Sequence, residues 1–159
     1  MISLPDTFSI LVNSVSKISA KNFVKKCHNI GMIPKPYFDT GLDNNLPEFD
    51  KGYNLIFNTD DNVIARLEVL EKDEKILQAG IQIIYSSSFF FSRINKHFTT
   101  LKSICDNYYG LCLPMDMGNI KILNYGDADT VSYISKMKVS GKKILTFRVG
   151  NKKIVDLTF

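Results

Sequence analysis

Apolar and polar residues alternate with period two over three consecutive runs, Tyr53 to Phe57, Val63 to Leu70 and Ile76 to Tyr85, separated by the polar stretches Asn58 to Asn62 and Glu71 to Lys75. Alternation bounded by polar turns predicts antiparallel strands with one buried face. Turns of this length set Phe57 against Val63 and Leu70 against Ile76, which keeps odd residues opposite odd ones. A slip by one residue would carry the whole apolar set to the other side, so the pattern specifies the pairing. The predicted core face is Tyr53, Leu55, Phe57, Val63, Ala65, Leu67, Val69, Leu77, Ala79, Ile81, Ile83 and Tyr85. Arg66, Glu68, Gln78 and Gln82 fall on the opposite, wetter face.

Helical spacing appears on both sides of this block. Ser19 is a predicted N-cap, Ile18 and Phe23 form a hydrophobic staple, and Gly31 supplies the stop. Phe23, Val24, Cys27 and Ile30 make the buried stripe of this helix. Phe91, Ile94, Phe98, Leu101, Cys105 and Tyr108 recur at intervals of three and four after a cap at Ser87 or Ser88, and the pattern ends at Gly110. This second stripe is the natural cover for the odd face.

Shorter runs complete the chain. Phe8 to Asn13 reads as a first strand, and Asn119 to Asn124 as another. Val131 to Val139, Lys142 to Val149 and Lys152 to Phe159 are joined by Ser140-Gly141 and Gly150-Asn151, connections that suit tight hairpins. Tyr133, Met137, Val139, Ile144, Val155, Leu157 and Phe159 are assigned to one face of this second meander. Ile134, Leu145, Phe147, Val149 and Ile154 are assigned to the other, with lysines. The order is β-α-βββ-α-ββββ, an α+β fold in which two antiparallel meanders pack against two helices. A chain of 159 residues is one domain, 1–159, large enough to hold a core without disulfides or metals.

Charge is unevenly placed. From Asp39 to Glu74 ten acids face three bases, a balance of −7, whereas from Val131 to Phe159 seven bases face one acid, a balance of +6. Separation of this size bears on partners and association rates. Pro34 to Gly52 reads as a long acidic loop beside the acidic hairpin turns, and long connections of this kind are often functional.

Catalytic signatures are sparse. His28 and His97 each fall in a predicted helix, and a paired-histidine site, with Lys96 or Lys102 on a phosphate, would need them to converge. Solvated helix positions are the simpler expectation for both. Cys27, Cys105 and Cys112 lack the close spacing of a zinc site and read as reduced, mostly buried thiols. Asp60-Asp61 and the Glu71 to Lys75 turn do not match an EF-hand loop. Phosphate-loop, nucleophile-elbow and zincin motifs do not occur. No cofactor, metal or enzymatic activity is expected. The N-terminus lacks the features of a signal peptide and no segment is apolar enough to span a bilayer, which points to a cytoplasmic protein without membrane contact.

Asp39 to Asp50, Asp60-Asp61 and Glu71 to Glu74 together suggest a surface built for a basic protein. In these stretches, and in lacking catalytic signatures, the chain resembles the small cytosolic immunity proteins that bacteria pair with contact-dependent toxins. The resemblance implies a protein-binding inhibitor that blocks a cognate toxin domain, often a nuclease. The expected contact residues are Asp39, Asp43, Glu48, Asp50, Asp60, Asp61, Glu68, Glu71, Asp73 and Glu74. The alternative is a nucleic-acid-binding domain in which Lys136, Lys138, Lys143 and Lys152 share a face with Phe147; in outline this resembles the Whirly-type single-strand binders. Lysines that protect sheet edges are the structural explanation for the same pattern.

Overall fold

A computed structural model of the chain describes residues 1–37, 48–86 and 91–152. Its elements are α1 (Leu4–Ser14), α2 (Ala20–Asn29), β1 (Ile33–Lys35), β2 (Lys51–Asn58), β3 (Ile64–Lys72), β4 (Lys75–Tyr85), α3 (Phe91–Tyr109), β5 (Leu113–Asp116), β6 (Ile120–Gly126), β7 (Thr130–Val139) and β8 (Lys142–Asn151). The fold is α+β, as the sequence predicts. The eight strands form one antiparallel sheet in the order β1-β2-β3-β4-β8-β7-β6-β5. The two meanders are therefore halves of a single sheet, fused where β4 pairs with β8.

The first element differs from expectation. Phe8 to Asn13 belongs to α1, in which Leu4, Thr7, Phe8, Leu11 and Val12 are buried at helical spacing. A short apolar run does not distinguish strand from helix by its period. The deciding signals lie upstream: Ser3 caps the helix by accepting the Asp6 N–H at 3.3 Å, and Pro5 and Asp6 occupy the first turn. The second helix, α2, follows the sequence closely. Ser19 accepts the Asn22 N–H at 3.2 Å, and at the other end Met32 N–H reaches the Cys27 carbonyl across Gly31, whose φ of +105° favours glycine. The predicted caps of α3 at Ser87 and Ser88 lie outside the described residues.

Parity in the central strands holds, although each register is shifted by two from the expected pairs. Phe57 faces Ala65 and Leu70 faces Gln78, so odd residues still oppose odd ones over most of the ladder. Leu55, Phe57, Val63, Ala65, Leu67, Val69, Ala79, Ile81, Ile83 and Tyr85 all enter the main core. Leu77 does not. A bulge between Leu70 and Glu71 changes the phase, so that Ile76 joins the core while Leu77 packs with Leu70, Tyr37 and Phe49 in a satellite cluster.

The second meander divides between its two faces as the sequence assigns them, and the structure decides which face is core. Ile134, Leu145, Phe147 and Val149 are core residues, because β8 docks on β4 with Ile81 opposite Phe147 and Ala79 opposite Val149. Phe147 is 1 % exposed and meets Phe8 edge to face, with ring centroids 5.6 Å apart. Val139 is exposed instead, and Tyr133, Met137 and Ile144 are half-buried on the opposite side. Gly150-Asn151 is not a turn, since both residues continue β8 against Val131 and Thr130. The fourth strand expected at Lys152 to Phe159 lies, beyond Lys152, outside the described residues.

On the core side, α3 buries Ile94, Phe98, Leu101 and Cys105, and α1 lies beside it, contributing Phe8 and Leu11 to the same core. Replacing Phe147 by Ala should cost about 3–5 kcal/mol, the range for deleting a buried aromatic. Urea unfolding would show this as a lowered midpoint at unchanged slope; a loss under 1 kcal/mol would contradict the central position given to Phe147.

Candidate functional site

The acidic residues singled out from the sequence divide into separate groups. Glu48, Asp50, Glu71, Asp73 and Glu74 gather around the β3–β4 turn. The Asp50 carboxylate accepts the Asp73 N–H at 2.8 Å, the Asp50 N–H donates to the Glu71 carbonyl, and the Tyr53 hydroxyl donates to Glu71. The turn itself is only Asp73-Glu74, because Lys72 pairs with Lys75. Both turn residues are left-handed, with φ of 51° and 66°. Its position is held by the helical layer, since Ala20 N–H donates to the Glu74 carbonyl and Ser19 bridges to Lys75. Asp39 and Asp43 lie outside the described residues.

Asp60 and Asp61 occupy the β2–β3 turn, at the far end of β3 and on the order of 30 Å away. They do not belong to the same surface as the β3–β4 turn. Asp61 is also engaged internally: His97 Nε2 lies 2.7 Å from its carboxylate, Lys96 lies 3.4 Å away, and Arg93 donates to its main-chain carbonyl. These partners hold the Asp61 carboxyl below the usual carboxylate range, the His97 hydrogen bond being the leading cause. Glu68 is separate again, half-buried in the middle of β3 on the sheet face turned away from the helices.

His97 is not the solvated flank residue expected. It is 5 % exposed, and Nδ1 lies 2.6 Å from the Tyr85 hydroxyl while Nε2 faces Asp61. With both ring nitrogens occupied, neither is offered to a substrate in this arrangement. Burial, followed by the Asp61 charge, raises the Tyr85 hydroxyl above its ordinary range. The Asp61-His97-Tyr85 chain thus acts as a strut between the β2–β3 turn, α3 and β4. Sequence reading missed it because the members come from three segments; the one hint was a histidine placed between Ile94 and Phe98 on the apolar side of a helix. His28 is exposed near the end of α2, as expected.

The sheet face opposite the helices has a graded composition. One complete cross-strand row runs Ile33, Ile56, Arg66, Gln82, Thr146, Ser135, Ile122 and Met115. Arg66 donates to Gln82 at 3.4 Å within it. Nearer the β7–β8 turn the face is apolar, with Ile64 and Ile84 64 % and 47 % exposed and Ile144 paired to Met137. Gly80 sits where an added Cβ would come within 2.6 Å of Arg148 Cγ and 2.9 Å of the Phe147 carbonyl, so its lack of a side chain lets Arg148 lie across the sheet.

The basic meander is also rearranged. Phe147 is in the core and is not available for stacking. Lys152 lies apart, its ammonium donating to the Asp127 carbonyl at 2.9 Å. Lys136, Lys138 and Lys143 do share one face, and Lys121, which the sequence reading left out, joins them. Edge protection does not account for them, because β6, β7 and β8 are interior strands.

Cys27 and Cys105 are buried, which pushes both thiols up to about 12, and Cys112 is half-buried. Among the described residues no group of three or more histidine, cysteine or acidic side chains could hold a metal, and no helix is long and apolar enough to cross a membrane.

No family model, curated protein or solved structure matches this chain. The architecture defines an α+β protein with a one-sided helical layer, and its surfaces carry the functional reading.

The strut generates a test. Asp61→Ala should destabilise the fold by about 1–3 kcal/mol at neutral pH, the cost of removing a charge-assisted bond from a buried partner. The folded-state value of Asp61 is depressed, so its contribution is present above the unfolded value and is lost as pH falls through the folded one. The stability gap between wild type and variant should therefore close in acid. A gap that stays constant down to pH 2 in chemical denaturation would refute this role.

Proposed function

We propose that this chain is a protein-binding inhibitor of the immunity type, which engages a basic partner domain through the acidic end of its sheet. The contact surface centres on Glu48, Asp50, Glu71, Asp73 and Glu74. The observation that supports this most is the Asp73-Glu74 turn. A two-residue turn of this hand favours Asn-Gly, and a left-handed backbone costs an ordinary L-residue about 1–2 kcal/mol. Here both positions carry acids, and a third, Asp50, is hydrogen-bonded onto the same turn. A strained position filled by the wrong residue for stability is a reason to look for a role outside folding.

Lys51, Lys72 and Lys75 are interspersed with these acids, and a cleft of about 750 Å³ alongside adds Lys21 and Lys25 from α2. A partner would meet an alternating pattern of charge, which favours specificity and rapid encounter over raw affinity. Blocking a toxin domain requires only that the occluded surface include its active site, so the inhibitor needs no catalytic group of its own.

The turn separates binding from folding. Replacing Asp73 by Asn and Glu74 by Gly relieves the backbone and should raise stability by about 1 kcal/mol. The same double variant removes two negative charges and should slow association with the captured partner about tenfold at low salt. Affinity capture from the native host, followed by binding kinetics, would measure both effects. Asp60→Asn, at the other end of β3, should leave capture unchanged. Equal association rates for wild type and the turn variant would rule out this surface.

A further inference from the structure

The helix side of the second meander holds a cavity of about 320 Å³ against the first turns of α3, lined by Lys121, Lys136, Lys138, Lys143, Asn95 and Asn119. Strand register makes this a designed-looking arrangement of charge. Lys121 lies opposite Lys136, and Lys138 lies opposite Lys143. Like charges directly opposite one another destabilise a sheet, and here two such pairs sit side by side on three interior strands. Among the described residues no carboxylate lies within ion-pair distance of Lys121, Lys136 or Lys138. Asp116 borders the same cavity, but its carboxylate accepts the Gly118 N–H at 3.1 Å.

Lys136 is held in place. Its ammonium donates to Asn95 Oδ1 at 3.0 Å and lies 4.8 Å from the centre of the Phe98 ring. Partial burial, followed by the charges of Lys121 and Lys143, lowers its pKa. An anion entering the cavity would relieve that repulsion, and the lysine nearest the helix is already oriented to meet it.

We propose that this groove binds a ligand carrying two linked phosphate groups, the pyrophosphate moiety common to inorganic pyrophosphate and nucleoside diphosphates. Each cross-strand lysine pair would hold one phosphate. Lys136 and Lys138 are two residues apart on one strand, which spaces the pairs by about 7 Å at the backbone, and the long, flexible lysine side chains would converge from there onto two phosphates joined through one bridging oxygen. Lysine serves phosphate as a mobile point charge, and the two asparagine side chains add neutral polar groups at the wall. Extended single-stranded nucleic acid is the less favoured ligand. Its binding sites combine a basic track with exposed aromatic rings, and the one ring at this site, Phe98, is buried beneath Lys136.

Isothermal titration of the full chain at low ionic strength with inorganic pyrophosphate, ADP and inorganic phosphate tests the proposal. One equivalent of pyrophosphate should bind at least tenfold more tightly than phosphate. Equal affinity for ADP assigns recognition to the phosphates alone, and tighter ADP binding adds a nucleoside contact; both support the site. Lys121→Gln and Lys138→Gln change exposed side chains and should fold normally, each weakening pyrophosphate at least fivefold, whereas Lys35→Gln on the opposite face should not. Affinity for pyrophosphate no better than for phosphate, or unaltered in both groove variants, would overturn the assignment. So would binding of a thymidine oligonucleotide that pyrophosphate fails to displace.

Discussion

The pairing of β4 with β8 is the constraint on which the remaining structure depends. β4 is the longest strand, with β3 on one side and β8 on the other, and its odd residues Ala79, Ile81, Ile83 and Tyr85 are buried in the main core. Docking β8 against it places Val149, Phe147 and Leu145 beside those residues and so extends one apolar surface across both halves of the chain. The helices then need to cover only one side. α1 contributes Phe8 to Phe147, α3 contributes its Ile94 to Cys105 stripe, and the opposite side of the sheet carries the smaller Leu70-Leu77 cluster under Tyr37 and Phe49.

That geometry gathers the acids of the central strands, interspersed with Lys51, Lys72 and Lys75, at one end of the sheet and the lysine groove of the second meander at the other. The β3–β4 turn gathers Asp50, Asp73 and Glu74, and the β6–β7 turn at the same end of the sheet adds Asp127 and Asp129. The other end carries the β7–β8 turn and the four-lysine groove, as the pairing of Tyr85 with Lys143 requires. Asp60 and Asp61 are acids at the basic end, where Arg93, Lys96 and His97 surround Asp61. The same residue type therefore has two roles, set by position: a structural counter-charge at one end of the sheet and exposed charge at the other.

Departures from local ideality cluster at the surfaces assigned a role. The bulge after Leu70 reverses the phase of the last β3–β4 pairs and shortens the turn to Asp73-Glu74, which brings the two acids into left-handed backbone. Facing lysine pairs occur in the interior of the sheet, where ordinary packing would prefer mixed charge or apolar residues. Consistency between local preference and global fold is the rule in stable proteins, and its violations tend to mark function. The strut from Asp61 to Tyr85 is the opposite case, a buried polar chain with each partner satisfied, which fixes α3 against the sheet.

Sequence alone determined the class, the core face of β2 to β4, the cap and stop of α2, and the span of α3 from Ile94 to Gly110. Each rests on a period or a capping pattern within one segment, where physical preference is local. Tertiary structure decided the rest. The apolar run at Phe8 suits strand and helix equally; the Ser3 cap and Pro5 upstream mark a helix start, and the packing of Phe8 and Leu11 into the core holds the helix. In the second meander both faces hold apolar residues, so periodicity could not choose between Tyr133 and Ile134; the partner strand β4 made the choice, and buried Phe147. Proximity in sequence also misjudged the acids, since Asp61 and Asp73 are close along the chain but lie at opposite ends of an extended strand. The Asp61-His97-Tyr85 chain and the Lys121 to Lys143 groove exist only once distant strands are paired, because their chemistry depends on distances that no single segment contains.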